Sequence, residues 1–374
     1  MKRIHTALIA MLLGTALLSG CEKPIGQVST QNGYRGTAMG AVQNPRVVGP
    51  VEAAQKLPEP IAEIPSPPGS PLAKNSFQNV QVLGDLTANE FTRTMLAITA
   101  WVAPKEGCAY CHKAGDPLSA DTLYTKVVAR KMIEMTRHIN NDWKRHVAAT
   151  GPTGAGGVTC YTCHRGAPVP AQTWFTNPGP KHPGGTTPYA GGQNLASTAA
   201  GLTSLGLDPL TPYLLGNQIL RVAGTTALPT GNQATLQQTE GTFGLMVYMS
   251  KSLGVNCTFC HNTRSLGEWP ESPLQRTTAF HGIRMARELN NTYLVPLTKT
   301  FPANRLGPTG DVGKIGCATC HQGLSKPLKG APLIKDHPAL GGAVVAAAAE
   351  TTTVPVAAVT TVATEPPTKA QGKR

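Results

Sequence analysis

Eight of the nine cysteines in this 374-residue chain come as four pairs at one spacing, and a histidine follows each pair at once. The four are Cys108-Ala-Tyr-Cys111-His112, Cys160-Tyr-Thr-Cys163-His164, Cys257-Thr-Phe-Cys260-His261 and Cys317-Ala-Thr-Cys320-His321. Disulfides would use eight cysteines but give no reason for a histidine behind every pair. Zinc also takes paired cysteines, yet a zinc histidine has no need to adjoin the second cysteine each time. In C-x-x-C-H the two thiols form thioethers to the haem vinyl groups, which places the adjoining imidazole beneath the iron. Four such motifs point to four covalently bound haem c groups.

The composition agrees with a core filled by something other than side chains. Aromatic residues make up only 5%, while Gly (40) and Pro (32) are abundant; four porphyrins would supply the missing bulk. The formal charge of +13 raises the question of nucleic acid. The positive residues are spread along the chain, and no nucleic-acid-binding module is present, so that class is disfavoured.

Both ends read as accessory. Lys2 and Arg3 precede an apolar run from about Ala7 to Leu18, too short to span a bilayer comfortably. The run ends in Leu18-Ser19-Gly20-Cys21, which resembles a bacterial lipoprotein signal cleaved before a diacylated Cys21. Residues 1–20 are then a signal peptide and 21–76 a Pro/Gly-rich arm with little structure of its own. Residues 326–374, biased to Ala, Thr, Val and Pro, read as a flexible tail.

Between the ends lies a repeat. In each half a short strand candidate (Val80–Leu83, Ile219–Val222) precedes a helix, a C-x-x-C-H motif, a longer helix and a second motif. The longer helices match locally: Met135-Thr-Arg-His-Ile-Asn-Asn-Asp-Trp against Met285-Ala-Arg-Glu-Leu-Asn-Asn-Thr-Tyr. The expected fold is therefore mainly α, a haem-organised multihaem cytochrome c fold with few short strands. Its domain, 77–325, divides into two pseudo-symmetric dihaem halves, 77–167 and 216–325, joined by the connector 168–215.

The proximal ligands are His112, His164, His261 and His321, and the sixth ligands must come from elsewhere. Met95 lies seventeen residues before His112 and Met246 fifteen before His261, each in the helix leading to its motif, with Met249 a competitor to Met246. The stretch Asp121–Val147 holds no Gly or Pro and is expected to run as one helix. It places Met132 and His146 on one side, roughly 21 Å apart. Aligned on Arg-x-x-Asn-Asn, Met135 pairs with Met285, whereas Met132 pairs with Gly282. Met135 for the second haem would imply Met285 for the fourth; Met132 would leave the fourth to borrow His146. Both remain open on the residues alone, with the second slightly ahead. His5 lies in the signal, and His182 and His337 in Gly/Pro-rich stretches. His138 and His281 are expected at the surface or beside propionates.

The chain resembles the tetrahaem cytochrome subunit of the photosynthetic reaction centre of purple bacteria, over most of residues 77–325. The lipoprotein start, four C-x-x-C-H motifs, two-half layout and ligand spacing carry the likeness. The resemblance implies three His/Met haems, His112 with Met95, His164 with Met132 and His261 with Met246, and one His/His haem, His321 with His146. It implies an electron carrier, not an enzyme, on the periplasmic face of the inner membrane. Such a carrier re-reduces the photo-oxidised bacteriochlorophyll pair, with the third haem nearest it. The implied partners are the reaction-centre core subunits and a soluble cytochrome c or high-potential iron–sulfur protein. A Gly-rich insertion before Cys160, the Pro/Ala-rich tail and the positive charge depart from the family pattern. The rivals are a lipid-anchored respiratory cytochrome with the same ligands and a multihaem periplasmic reductase or peroxidase. The latter needs an open iron site.

Overall fold

The helix that leads to the first motif starts where its sequence says it should. The Thr87 side chain accepts from the Glu90 amide, and Glu90 reaches back to the Thr87 amide, closing a capping box. The computed structural model describes residues 26–31, 40–148, 156–178, 197, 199–201, 205–222 and 234–341. Cys21, His5 and His182 lie outside them, as do residues 179–196 of the region assigned to the connector.

The described chain is mainly helical, with one antiparallel hairpin of β1 (Val28–Gln31) and β2 (Gly40–Gln43). In chain order the helices are α1 (Pro45–Ala54), α2 (Ala73–Ser76), α3 (Ala88–Val102), α4 (Tyr124–Asp142) and α5 (Lys144–Val147). There follow α6 (Cys160–His164), α7 (Thr211–Leu214), α8 (Leu236–Leu253), α9 (Leu274–Leu289) and α10 (Cys317–His321). α8 opens with a second capping box, Thr235 with Gln238, and closes at Gly254 in the left-handed conformation. A side chain at Gly254 would run into the Gly323 carbonyl, so the helix end packs backbone to backbone on the loop behind α10. No helix among the described residues is long and apolar enough to cross a membrane.

Four expectations need correction. The strand candidates at 80–83 and 219–222 are irregular; Leu83 sits at φ 63°. A strand needs a neighbouring strand for its amides and carbonyls, and among the described residues neither stretch pairs with one. The strands lie instead in the N-terminal arm, which also forms α1, capped by the Asn44 side chain. That arm is anchored: the Gln55 side chain donates to the Gln322 carbonyl, and Thr258 in the third motif donates to the Gly40 carbonyl. Residues 327–341 are packed as well, with Leu328, His337 and Leu340 buried. Arg137 donates to the Ala339 carbonyl, Asn140 to that of Leu340 and Arg93 to that of Asp336.

The fourth correction concerns the long helix. It breaks at Trp143 (φ −103°, ψ 30°), and His146 belongs to the separate turn α5. Neither Gly nor Pro causes the break. It turns Val147 into a cluster with Met135, Ile139, Leu289 and Tyr293, and brings His146 against α9. Packing against the second long helix outweighs one lost helical hydrogen bond, worth about 1 kcal/mol net.

Candidate functional site

Each C-x-x-C-H segment is a short helical turn. The first and third are 3-10 turns, Gly107–Tyr110 and Cys257–Phe259; the second and fourth are the α-turns α6 and α10. The α-turns start alike: the Thr159 amide donates to the Thr162 hydroxyl at 3.0 Å, and the Gly316 amide to the Thr319 hydroxyl at 3.0 Å. The four motif imidazoles then share one arrangement. Their Nδ1 atoms lie 2.9–3.0 Å from a backbone carbonyl just downstream: Leu118 for His112, Ala167 for His164, Leu266 for His261 and Leu324 for His321. A carbonyl only accepts, so Nδ1 must carry the proton and Nε2 must carry the free lone pair.

The approach to the second and fourth motifs is held by the shared Arg-x-x-Asn-Asn element. Asn140 accepts from the Val158 amide at 2.7 Å and donates to the Val158 carbonyl at 2.9 Å. Asn290 does the same to Ile315, at 2.9 Å both ways. Val158 and Ile315 each stand two residues before the first cysteine of their motif. The arginines anchor the helices: Arg137 makes a two-pronged pair with Asp85, and Arg287 holds the Tyr213 carbonyl and the Asn217 side chain.

A cavity of about 1010 Å³ runs through the described residues, with a mostly apolar lining. The two cysteines and the histidine of the first, second and fourth motifs line it, together with Met95, Met132, Met135 and His146. α6 and α10 pack together, with Cys163 and Cys320 Sγ atoms 2.6 Å apart, so the second and fourth motifs are inner neighbours. α3 packs on α6 and α8 on α10, which puts the first and third motifs at the two outer positions; Cys108 and Cys257 are correspondingly exposed. No disulfide joins any two of these eight cysteines.

His146 reaches the fourth motif from α5. Its ring centre lies 6.0 Å from that of His321, with the planes at 66°. Its Nδ1 is 2.9 Å from the Thr278 carbonyl, so it too offers Nε2. Burial holds His146 and His164 below the usual imidazole value. For His321, burial and then the nearby His146 bring it down to about 4. These rings are neutral at ordinary pH.

The model of the family described as photosynthetic reaction centre cytochrome C subunit matches residues 22–341. This chain belongs to that family. It is 51% identical over 342 residues to the photosynthetic reaction center cytochrome c subunit of Rubrivivax gelatinosus, covering 90% of this chain and 89% of that one. The Thermochromatium tepidum protein of the same name is 48% identical, covering 88% and 79%. That of Roseobacter denitrificans is 42% identical, covering 88% and 90%.

A reaction-centre cytochrome c subunit carries covalently bound haem c, and the residues fit that group. The paired thiols and the neutral imidazoles with Nε2 free are the donors it needs. The cavity exceeds the roughly 300–1,000 Å³ of ordinary ligand pockets. A ring nitrogen bonds such metals at about 2 Å, so two imidazoles facing one iron have centres about 6 Å apart, as His146 and His321 do.

The methionine alternatives separate less cleanly. Met95 and Met132 line the cavity, and so do Met135 and Met285, which pack with Leu289 and Tyr293. Met249 is buried and borders the cavity beside the fourth motif; Met246 is half-buried and does not line it. The remaining histidines among the described residues are placed otherwise. His138 bridges Asp142 (2.7 Å) and Glu288 (2.5 Å), using both ring nitrogens. His337 packs edge-on to Trp101 at 4.5 Å. His281, half-exposed, adjoins Phe280 and carries no cavity wall. Sequence reasoning used Arg-x-x-Asn-Asn only as an alignment mark and missed its clamping role. It also passed over Gly282 and the Thr278 carbonyl, for which the pairing of Met132 with a glycine was the available signal.

Proposed function

We propose that this chain holds four haem c groups and passes electrons one at a time to the photo-oxidised bacteriochlorophyll pair of a photosynthetic reaction centre. The observation that carries the reading is the set of five imidazoles whose Nδ1 is committed to a carbonyl, two of them with ring centres 6.0 Å apart. Haem c supplies reversible one-electron iron chemistry when bound. The residues of the chain attach it, ligate it and exclude water from it.

Cys108/Cys111, Cys160/Cys163, Cys257/Cys260 and Cys317/Cys320 are the thioether pairs, with His112, His164, His261 and His321 as proximal ligands. His146 is the sixth ligand of the fourth haem, which removes Met285 from that role. The repeat then removes its counterpart Met135 and leaves Met132 for the second haem. Met95 serves the first, and Met246 the third, because the match between the two halves favours Met246 over Met249. With every iron six-coordinate the chain acts as a carrier, and no substrate reaches a metal.

The matching Asn140 and Asn290 clamps support two related dihaem halves. The helix packing supports a row in the order first, second, fourth, third. Cys21 anchors the protein to the periplasmic face of the inner membrane. The reaction-centre core contacts the third-haem end, where Leu266, Trp269 and Leu274 are exposed, and a soluble cytochrome c or high-potential iron–sulfur protein supplies electrons. Flash excitation of membranes containing the protein tests the reading: light should oxidise its c-type haems. Membranes in which those haems stay reduced after the flash would overturn it.

A further inference from the structure

We infer that Gly282 is the positioning residue that admits His146 to the fourth haem, and that its missing side chain decides that ligand. The inference rests on the reading of His146 as the sixth ligand of that haem. A Cβ at Gly282 would lie 2.6 Å from His146 Cε1, 2.9 Å from Nδ1 and 3.2 Å from Nε2. The first two distances are shorter than side-chain carbons tolerate. The obstruction falls on Cε1 and the two nitrogens beside it, and the Nδ1 bond to the Thr278 carbonyl holds the ring in that place. One turn earlier on α9, the Thr278 carbonyl takes the His146 Nδ1 proton at 2.9 Å. α9 thus offers a carbonyl that sets the tautomer and, four residues on, a bare stretch of backbone against which the ring lies flat.

The position has a counterpart. On the Arg-x-x-Asn-Asn register, Gly282 corresponds to Met132. The first long helix carries a methionine there; the second carries nothing, and the space is filled by a histidine delivered from the first. Gly282 sits in the middle of α9, where a glycine destabilises the helix relative to alanine. Its φ is ordinary helical, so backbone freedom does not account for it. The ring of His146 does.

The test uses the intact haem-loaded protein. Electron paramagnetic resonance of the oxidised wild type should show one bis-His low-spin haem per chain. Its absence would sink the ligand reading itself. In Gly282→Ala that signal should fall from one haem per chain to none while the three His/Met signals persist; an undiminished bis-His signal would overturn the role of Gly282. Denaturation supplies a readout independent of ligation. Gly282→Ala should destabilise the wild type but leave His146→Ala unchanged or slightly firmer, because the contact is gone and alanine suits a helix better. Equal destabilisation in both backgrounds would show that the glycine serves other packing, and would overturn the inference. If Gly282→Ala does not accumulate, the double variant still should.

Discussion

The helix α4, and α9 with the turn that continues it, carry the same Arg-x-x-Asn-Asn element, use its first asparagine the same way, and differ just upstream of it. Asn140 and Asn290 grip the residue two before a C-x-x-C-H motif through the same pair of backbone hydrogen bonds. Five residues before each arginine stand Met132 and Gly282. The shared part fixes the approach to a C-x-x-C-H motif; on the ligand assignment proposed above, the unshared part would decide what completes the coordination of its haem. The asparagine clamp could then be kept while the ligand of one haem is supplied by a neighbour from α5.

The comparison is broken most severely at its unshared position. His146→Ala should convert one haem of four to a five-coordinate or altered state and leave the other three unchanged. Met132→Ala should affect a different single haem. Optical redox titration with resonance spectroscopy resolves the two, and a common target for both variants would refute the ligand assignment. Giving α9 the residue of α4, in His146→Ala/Gly282→Met, sharpens the comparison. The fourth haem should regain six-coordination with methionine, and its potential should rise above that of the bis-His parent, as Met ligation does.

Breaking the shared part should cost stability, not ligation. Asn140→Ala strands the Val158 amide and the Val158 and Leu340 carbonyls; Asn290→Ala strands the Ile315 amide and carbonyl and the Leu214 carbonyl. Each should lose about 2–4 kcal/mol, at 1–3 kcal/mol per buried polar group left unpaired with partial relaxation. Similar losses in chemical denaturation would support equivalence; a large loss from only one would refute it.

The smallest effect concerns a device present on one side only. Before the fourth motif, buried Lys314 pairs with Asp311, donates to the Val312 carbonyl and lies 4.8 Å from the Trp174 ring centre. Burial raises the Asp311 carboxyl, but Lys314 and the amide and hydroxyl donors of Thr176 and Thr309 outweigh it, and the value ends at about 2. A depressed carboxyl stabilises fully above its unfolded value near 3.9 and loses that contribution as pH falls toward 2. Acid should therefore loosen the Trp174–Lys314 bridge before the clamp at Val158. Hydrogen exchange of the Trp174 and Lys314 amides between pH 5 and 2, in roughly that carboxylate range, should show it. In Asp311→Asn the pH dependence should vanish.

Motifs defined by neighbours in sequence were legible at once, because thioether attachment and the proximal imidazole need only adjoining residues. The helices flanking each motif and the Arg-x-x-Asn-Asn repeat were legible for the same reason. The two strand candidates were not real strands, since pairing depends on a partner that alternation does not name. The packed segment 327–341 was hidden because its contacts are carbonyls accepting from Arg137, Asn140 and Arg93, and every residue type has a carbonyl.

The four Cys-Cys-His attachments, and with them the haem count expected of this protein, are written in the sequence, because each is made within five consecutive residues. Which helix turn meets which was left to the tertiary structure. The break at Trp143, the stacking of His146 on Gly282, the 6.0 Å between His146 and His321, and the meeting of Cys163 with Cys320 join residues 136 to 175 positions apart or fold a helix with no breaker in it. Such contacts depend on the fit of whole surfaces, and a linear string specifies that fit only through the folded chain.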